Sequence, residues 1–474
     1  MLDALLHVTS EKKHTWLPRV WLIALYLAGG WLWGEFFNWG KIPFDFHDWA
    51  EINAARLAYL QDSAVRGMLP LHASETAHLR NLTDRLLSIP DMMVSPQYLL
   101  LRWLSIGDYI VVNTLFLYSL GFLALLWLRR KFSLSLLVFS VLTFLFNFNG
   151  HLVGHFSIGH ITWWAYFLLP FFFIQIVRLL EGNHTWRWVG QTSILLFFIF
   201  LQGGYHHYVW CLIFLGILAL AAWKHALAIL KTLVFANLIS MVRLLPPALL
   251  LGKFDTDFYG GYRYPWHILE AMLLPRLPEN SLPFQNFGSS LGYWEFDLYV
   301  GWVGTAFILG GTILWLKQSF SARTWQPLLV PMMVIALLSL RDFYQPFSQL
   351  PIPLLNGERV TSRMLILPLL MAMFLSAIAI QTWVDQKQPK FVLQMAFLVC
   401  LCVLGYELVA HLYRWQVTKT AVHFAVTPVN LSIKVLNNHP DPAYFQMLLV
   451  SAVISLLSLG ALAYLVHREK LSYS

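Results

Sequence analysis

The chain has 474 residues, of which 58% are hydrophobic and only 12% are charged, and its formal net charge is +8 at pH 7. This composition excludes an ordinary soluble domain, in which charged residues are about twice as frequent. The positive charge is placed mainly in short loops between apolar segments, which indicates membrane orientation and contact with anionic lipids and excludes nucleic acid as a partner.

Apolar runs of about 17 to 25 residues are long enough to cross a bilayer. The sequence predicts about twelve such spans, and therefore an all-α, polytopic transmembrane helical bundle in a single domain, 1–474. In chain order the predicted spans are 17–37, 108–128, 132–150, 161–179, 188–203, 207–223, 228–250, 298–316, 325–340, 362–383, 391–410 and 444–466.

Lys and Arg are present in every short loop on the side that holds both termini, as the positive-inside rule requires of the cytoplasmic side. The N-terminal residues are too polar for a cleavable signal peptide. All three cysteines fall inside apolar runs, so no disulfide framework is predicted. We therefore expect an integral protein of the plasma (inner) membrane with both termini in the cytoplasm.

Four segments on the opposite, extracytoplasmic side are too long and too polar to be simple turns: 38–107, 251–297, 341–361 and 411–443. Long loops are where function concentrates. We therefore expect the chemistry of this protein on its periplasmic or extracytoplasmic face.

The first outer loop begins with "FDFHDW", which places Asp45 and Asp48 just after the first span. Asp48 with Glu51 three residues later matches a capping box, and it predicts a juxtamembrane amphipathic helix that ends near Gly67 and turns Arg56 toward water or headgroups. Asp45 precedes that cap and is not explained by it. Either aspartate could take a proton from an acceptor hydroxyl, so the candidate catalytic base is Asp45 or Asp48.

Histidines cluster at two outer turns. "NGHLVGHFSIGH" contains His151, His155 and His160, of which the first two are one helical turn apart, a spacing compatible with metal ligation. Histidines that line a polar cavity are the alternative explanation. "GGYHHYVW" adds His206 and His207, which we expect to face the same cavity.

The second outer loop carries two carboxylate pairs, Asp255 with Asp257 and Glu295 with Asp297. In an extended segment, residues two apart point the same way, so each pair could bind a cation or sugar hydroxyls. A solvated loop is the alternative. No tightly bound cofactor is expected, and a divalent cation such as Mg²⁺ or Mn²⁺ at these four carboxylates is the open alternative.

Three arginines at or within predicted spans are candidates for binding a phosphate group. Arg359 and Arg363 lie one helical turn apart in "ERVTSR", at the outer start of a predicted span, and Arg243 lies inside an apolar run. Ionisable groups within a membrane are usually kept for function, and guanidinium groups bind phosphate oxygens in pairs of hydrogen bonds. Contact of the paired arginines with outer-leaflet headgroups is the alternative.

These features resemble the GT-C superfamily of integral-membrane glycosyltransferases, which use polyprenyl-phosphate sugars. The resemblance covers roughly residues 17–380 and rests on "FDFHDW" after the first span, "GMLPLH", "GHFSIGH", "YVG" and "ERVTSR". It departs from the family in the separation of the paired acidic residues and in the lack of a sizeable soluble domain at the end of the chain.

The resemblance implies a GT-C-like fold and transfer of a sugar from a polyprenyl-phosphate donor to an extracytoplasmic glycan, lipid or protein, with membrane lipids as further partners. It implies that Asp45 or Asp48 acts as base and that Arg359, Arg363 and Arg243 bind the donor phosphate. The remaining residues expected in the substrate cavity are Glu51, Arg56, His151, His155, His160, His206, His207, Glu295, Asp297 and Glu358. A lipid or oligosaccharide transporter and a non-catalytic membrane subunit are the alternatives.

Overall fold

A computed structural model describes residues 5–6, 16–75, 83–250, 260–280, 287–322, 325–349, 358–387 and 391–472. Within these ranges the protein is all-α, and its only β pairing consists of isolated bridges. The α-helices, numbered α1 to α18 in chain order, are Leu17–Phe36, Ala54–Arg66, Ile106–Lys131, Leu136–Phe148, Gly150–Ser157, Leu169–Leu180, Trp186–Leu201, Tyr205–Ala221, Ala226–Ile239, Met241–Leu250, Pro265–Leu273, Gly301–Ala322, Leu329–Leu338, Arg341–Ser348, Ile366–Lys387, Phe391–Arg414, Val417–Ala421 and Pro442–Ser472.

Short helical turns connect several of these helices. A π-helical turn, Trp49–Asn53, leads directly into α2. The 3₁₀ turns are Asn38–Gly40, Leu86–Ser88, Pro96–Arg102, Ile161–Leu168, Trp223–His225, Pro278–Asn280, Tyr293–Glu295, Gln326–Leu328 and Thr361–Leu365.

Every segment predicted to span the membrane contains helix. Six helices in the described residues are long and apolar enough to cross a bilayer, or seven if α8 and the bent segment Trp223–Ile239 form one span. The total of twelve spans and the GT-C-like fold remain predictions. Large apolar side chains of α16 and α18, such as Tyr406, Leu449 and Leu457, are exposed on the bundle surface. An exposed apolar surface of this kind is typical of helices that face the hydrocarbon core of a membrane.

The helices pack into one bundle. α12 lies against α15, α7 against α9, and α10 against α18. Several helices begin at a side-chain cap, as at α3, where the Ser105 hydroxyl accepts a hydrogen bond from the Asp108 backbone nitrogen at 3.1 Å. These caps satisfy backbone donors that would otherwise be left unpaired at a helix start.

The segments predicted to be outer loops contact one another through isolated bridges. Isolated bridges join His72 to Arg85, Ala73 to Val435 and Gly260 to Val360. These bridges join the first predicted outer loop to the last and the second to the third, and residues of the first three line one cavity. We call these joined segments the outer layer.

The capping-box interpretation of the first outer loop is wrong. Asp48 makes no side-chain hydrogen bond to the start of the following helical segment. Arg56 is buried at 6% exposure and does not face water, contrary to the amphipathic prediction. The reason is tertiary packing, because other segments cover α2 on most sides. Asp48 and Arg56 each contact a residue distant in sequence, His160 and Asp91 respectively.

Candidate active site

A polar cavity of about 250 Å³ lies within the outer layer. Its wall is built by the π-helical turn, the segment around Asp91, the turn after α5, the start of α8, the segment 291–295 and the segment 359–363. The residues selected from sequence that line it are Asp48, Arg56, His160, His206, Glu295, Arg359 and Arg363.

Asp48 is directed at a histidine. Its Oδ2 lies 3.0 Å from Nε2 of His160, and its Oδ1 lies 3.4 Å from Nδ1 of His47. The Asn53 side chain fixes this arrangement, because its Nδ2 donates to the backbone carbonyls of Asp48 and Gly159 at 2.9 and 2.5 Å. The backbones that carry Asp48 and His160 are thus joined through one amide.

Gly159 permits this close approach. Its φ is +101°, a conformation that L side chains rarely adopt, and a Cβ there would lie 2.7 Å from the backbone nitrogen of Trp49. Glycine is therefore required at this position both by the turn and by the space.

A second histidine continues the chain from Asp48. Nδ1 of His155 lies 2.6 Å from Nδ1 of His160, so one of the two nitrogens is protonated and the other accepts. If Nε2 of His160 donates to the Asp48 carboxylate, its Nδ1 must accept from His155. Burial lowers the pKa of His160 more strongly than the bond to Asp48 raises it, so the neutral form is favoured.

Arg363 and Glu295 form a bidentate ion pair in the cavity. Nε and an Nη of Arg363 each lie 2.5 Å from a different oxygen of Glu295. The guanidinium also stacks over Trp163, with its carbon 5.1 Å from the ring centroid. Burial alone would raise the pKa of Glu295, but the neighbouring guanidinium holds it below its ordinary value. Two of the five N–H groups of Arg363 are thus used, and three remain for another acceptor.

Glu358 is buried next to His206 and does not itself line the cavity, contrary to the sequence prediction. Its Oε2 lies 3.0 Å from Nδ1 of His206 and accepts from Nε1 of Trp210 at 2.9 Å. Its Oε1 is buried and accepts no hydrogen bond from the described residues. Burial alone would raise the pKa of Glu358, but the charge of His206 and the hydrogen bonds lower it. This buried carboxylate therefore has an oxygen available to a donor.

Two residues that sequence reasoning missed complete the wall. Asp91 pairs with Arg56, with 3.2 Å between Oδ2 and an Nη. Burial alone would raise the pKa of Asp91, but the Arg56 guanidinium lowers it. Trp163 contacts Arg363 and donates its Nε1 to His151 at 2.9 Å. Asp91 is isolated in "IPDMM" and Trp163 resembles an ordinary interfacial aromatic, so neither carried a sequence signal.

His151, His155 and His207 are buried behind the cavity and do not line it. His151 and His155 lie on one helix face, as predicted, with ring centroids 4.5 Å apart. The ring of His207 lies 5.3 Å from that of Trp163. These histidines support the wall from within.

The structure places other predicted residues away from the cavity. Asp45 is partly exposed beside a separate shallow depression, and Glu51 is exposed. Asp297 is buried, its Oδ1 accepts from the Tyr299 backbone nitrogen at 2.8 Å and its Oδ2 lies 3.1 Å from Nε2 of His411. These contacts hold Asp297 between the segment that precedes α12 and α16.

Arg243 is also elsewhere. Its guanidinium is buried and donates to the backbone carbonyls of Leu87, Ile89, Pro90 and Met92. It holds the segment that carries Asp91 and is not among the residues that line the cavity.

For a metal, His155, His160 and Glu295 offer ligand atoms that lie within 4.8 Å of one another. Both Glu295 oxygens are bound by Arg363, and the two histidines bond to each other, so the three residues are partnered without an ion. Mg²⁺ and Mn²⁺ favour oxygen ligands, whereas two of these three ligands are imidazoles. Asp255 and Asp257, the other candidate ligands, lie outside the described residues.

Comparisons with protein-family models, curated proteins and solved structures give no match for this chain. The fold and the site define only a class: an all-α protein with apolar helices of membrane-spanning length and a buried, charged cavity formed by its loops.

Proposed function

We propose that this protein is a membrane glycosyltransferase that moves a sugar from a polyprenyl-phosphate donor to an extracytoplasmic acceptor. The observation that carries the proposal is the convergence of a carboxylate–histidine pair, Asp48 and His160, and of two arginines, Arg359 and Arg363, on one cavity. A base and a phosphate-binding group are the two components that such a transfer needs.

In the proposed reaction Asp48 accepts the proton of the acceptor hydroxyl. At the same time the oxygen of that hydroxyl attacks the anomeric carbon of the donor sugar. The bond between that carbon and the phosphate oxygen breaks, and the polyprenyl phosphate leaves with its negative charge stabilised by Arg359 and the remaining donors of Arg363. His160 holds the carboxylate in position and is a positioning residue. No step requires a metal ion.

The size of the cavity supports this assignment. At about 250 Å³ it is slightly smaller than most ligand pockets, which are about 300 to 1,000 Å³. Such a volume suits one sugar and its phosphate, and a long isoprenoid would have to lie outside.

An apolar groove offers a surface for that isoprenoid. It has a volume of about 1270 Å³ and is lined by α3, α6, α7 and α18. Gln202 lies in this groove, and the adjacent Gly203 approaches the backbone carbonyl of Asp91, which belongs to the polar cavity. One end of the groove is therefore near the cavity.

We place the protein in the plasma (inner) membrane, with both termini cytoplasmic and the cavity extracytoplasmic.

The same groove gives a specific reason to consider a lipid or oligosaccharide transporter. The two functions are separated by reconstituting the full chain in liposomes with a panel of labelled polyprenyl-phosphate sugars and membrane-derived acceptors. A glycosyltransferase produces a labelled glycoside and free polyprenyl phosphate. Movement of intact donor across the bilayer without a new glycoside would overturn the proposal in favour of transport.

A further inference from the structure

A second cluster of titratable residues lies outside the proposed active site. It is formed by His72 and Asp84 from the first outer loop and by His439 from the last outer loop. Each offers one ligand atom, and the three atoms lie within 4.8 Å of one another. Nε2 of His439 lies 2.9 Å from Oδ2 of Asp84, and the rings of His72 and His439 stack with centroids 4.3 Å apart.

The backbone holds these segments in place independently of their side chains. The Ala73 nitrogen donates to the Asp84 carbonyl at 3.0 Å, and the Leu436 nitrogen donates to the His72 carbonyl at 2.9 Å. The segment at His72 is thus bonded on both sides, to the segment at Asp84 and to the one that leads to His439. The three side chains are prepositioned by the fold.

A fourth residue orients the cluster from behind. Oδ2 of Asp441 lies 3.2 Å from Nε2 of His72, and the Asp441 carboxylate also accepts from Nε and an Nη of Arg85 at 2.7 and 3.1 Å. A carboxylate behind a ligating histidine is the usual support of a metal site.

The charges and exposure also suit a cation. Apart from its histidines, the cluster contains the carboxylates of Asp84 and Asp441 and the guanidinium of Arg85, which together carry a net charge of −1. His72 is buried, whereas the side chains of His439 and Asp84 are 33% and 28% exposed, so an ion can enter from solvent. Nδ1 of His439 is buried and has no hydrogen-bond partner among the described residues.

We infer that His72, Asp84 and His439 form a binding site for a divalent transition-metal ion of the zinc type, which clamps the last outer loop to the first. Two imidazoles and one carboxylate favour zinc over magnesium or calcium. Zinc bonds to these ligands are about 2.0 to 2.2 Å long, so small side-chain rotations complete the site. The fourth position is left to water.

The test uses full-length protein purified in detergent, treated with EDTA and desalted, and then titrated with Zn²⁺ against a chromophoric chelator. Wild type is expected to bind zinc and to melt at a higher temperature when zinc is present. His439→Asn and Asp84→Asn are expected to bind at least tenfold more weakly and to lose the thermal shift. Asp441→Asn, which removes the orienting carboxylate, is expected to weaken binding about 10- to 100-fold.

Two control variants separate this site from others. His423 lies 3.4 Å from Glu279 elsewhere in the outer layer, and His423→Asn should bind zinc as wild type does. His160→Asn, in the proposed active site, should also retain zinc binding. The zinc site is thus tested independently of glycosyl transfer. Absence of zinc binding by wild type would overturn the inference. Unchanged binding by both His439→Asn and Asp84→Asn would do so as well.

Discussion

At the scale of single residues, the ion pair of Arg363 and Glu295 is the contact in the cavity on which we base the first prediction. Glu295 is buried at 6% exposure, Arg363 is mostly covered at 14%, and they share two hydrogen bonds. Removing one partner of such a pair leaves the other charge buried without compensation. The pair therefore supports the structure of the cavity as well as its charge.

We expect Glu295→Gln to lower the free energy of unfolding by about 3 to 5 kcal/mol, because it removes the negative charge that is directly hydrogen-bonded to the Arg363 guanidinium. The matched control is Glu270→Gln, which breaks a surface pair with Arg276 at 3.3 Å and should cost less than about 1 kcal/mol. Denaturation of both variants, followed by tryptophan fluorescence in one detergent, measures the difference. Equal destabilisation would show that Arg363 does not depend on Glu295.

The second prediction at this scale concerns pH. Burial lowers the pKa of His160, so its neutral form persists at pH 7 and is lost only below the ordinary histidine value of about 6.5. Once protonated, His160 forms an ion pair with Asp48 and weakens it as a base. The rate of sugar transfer should therefore fall on the acid side with a midpoint below about pH 6.5. A His160→Gln variant that keeps the same acid limb would assign that titration to another group.

At the scale of elements, the turn after α5 brings Asp48 and His160 together. We expect Gly159→Ala to destabilise the protein and to lower transfer, because the new Cβ would meet the Trp49 nitrogen at 2.7 Å. Gly182→Ala is the control: φ is +98° there, but nothing lies within 4 Å, so only the backbone cost of about 1 to 2 kcal/mol applies. Melting temperatures and transfer rates of the two variants test this. A loss at Gly159 no larger than that at Gly182 would contradict the close approach.

The elements also show how much the sequence alone could predict. Each predicted span contains helix because runs of apolar residues are a local signal. The capping box failed because Asp48 has a partner 112 positions away, at His160, and no local pattern indicates that contact. Arg363 and Glu295 were both selected from sequence, but their pairing across 68 positions was not. Single residues could be proposed from chemistry, whereas their partners required the fold.

At the scale of the whole molecule, orientation in the membrane is the main prediction. Val426 in the last outer loop is 78% exposed, and Arg468 near the end of α18 is exposed on the opposite side in our topology. With Cys400 and Cys402 replaced by Ser, we expect Val426→Cys to react with a membrane-impermeant maleimide in intact cells. Arg468→Cys should react only after permeabilisation. The opposite pattern would place the cavity on the cytoplasmic face.

The central claim is that Asp48 is the base of a glycosyl transfer, and the most direct measurement compares Asp48→Asn with Asp45→Asn at matched expression. Asp48 lines the cavity, 3.0 Å from His160, whereas Asp45 lies outside it. With labelled sugar supplied on polyprenyl phosphate, we expect Asp48→Asn to slow transfer by about 10²- to 10⁴-fold and Asp45→Asn to leave it nearly unchanged. Loss of transfer in Asp45→Asn, with Asp48→Asn as active as wild type, would contradict the account.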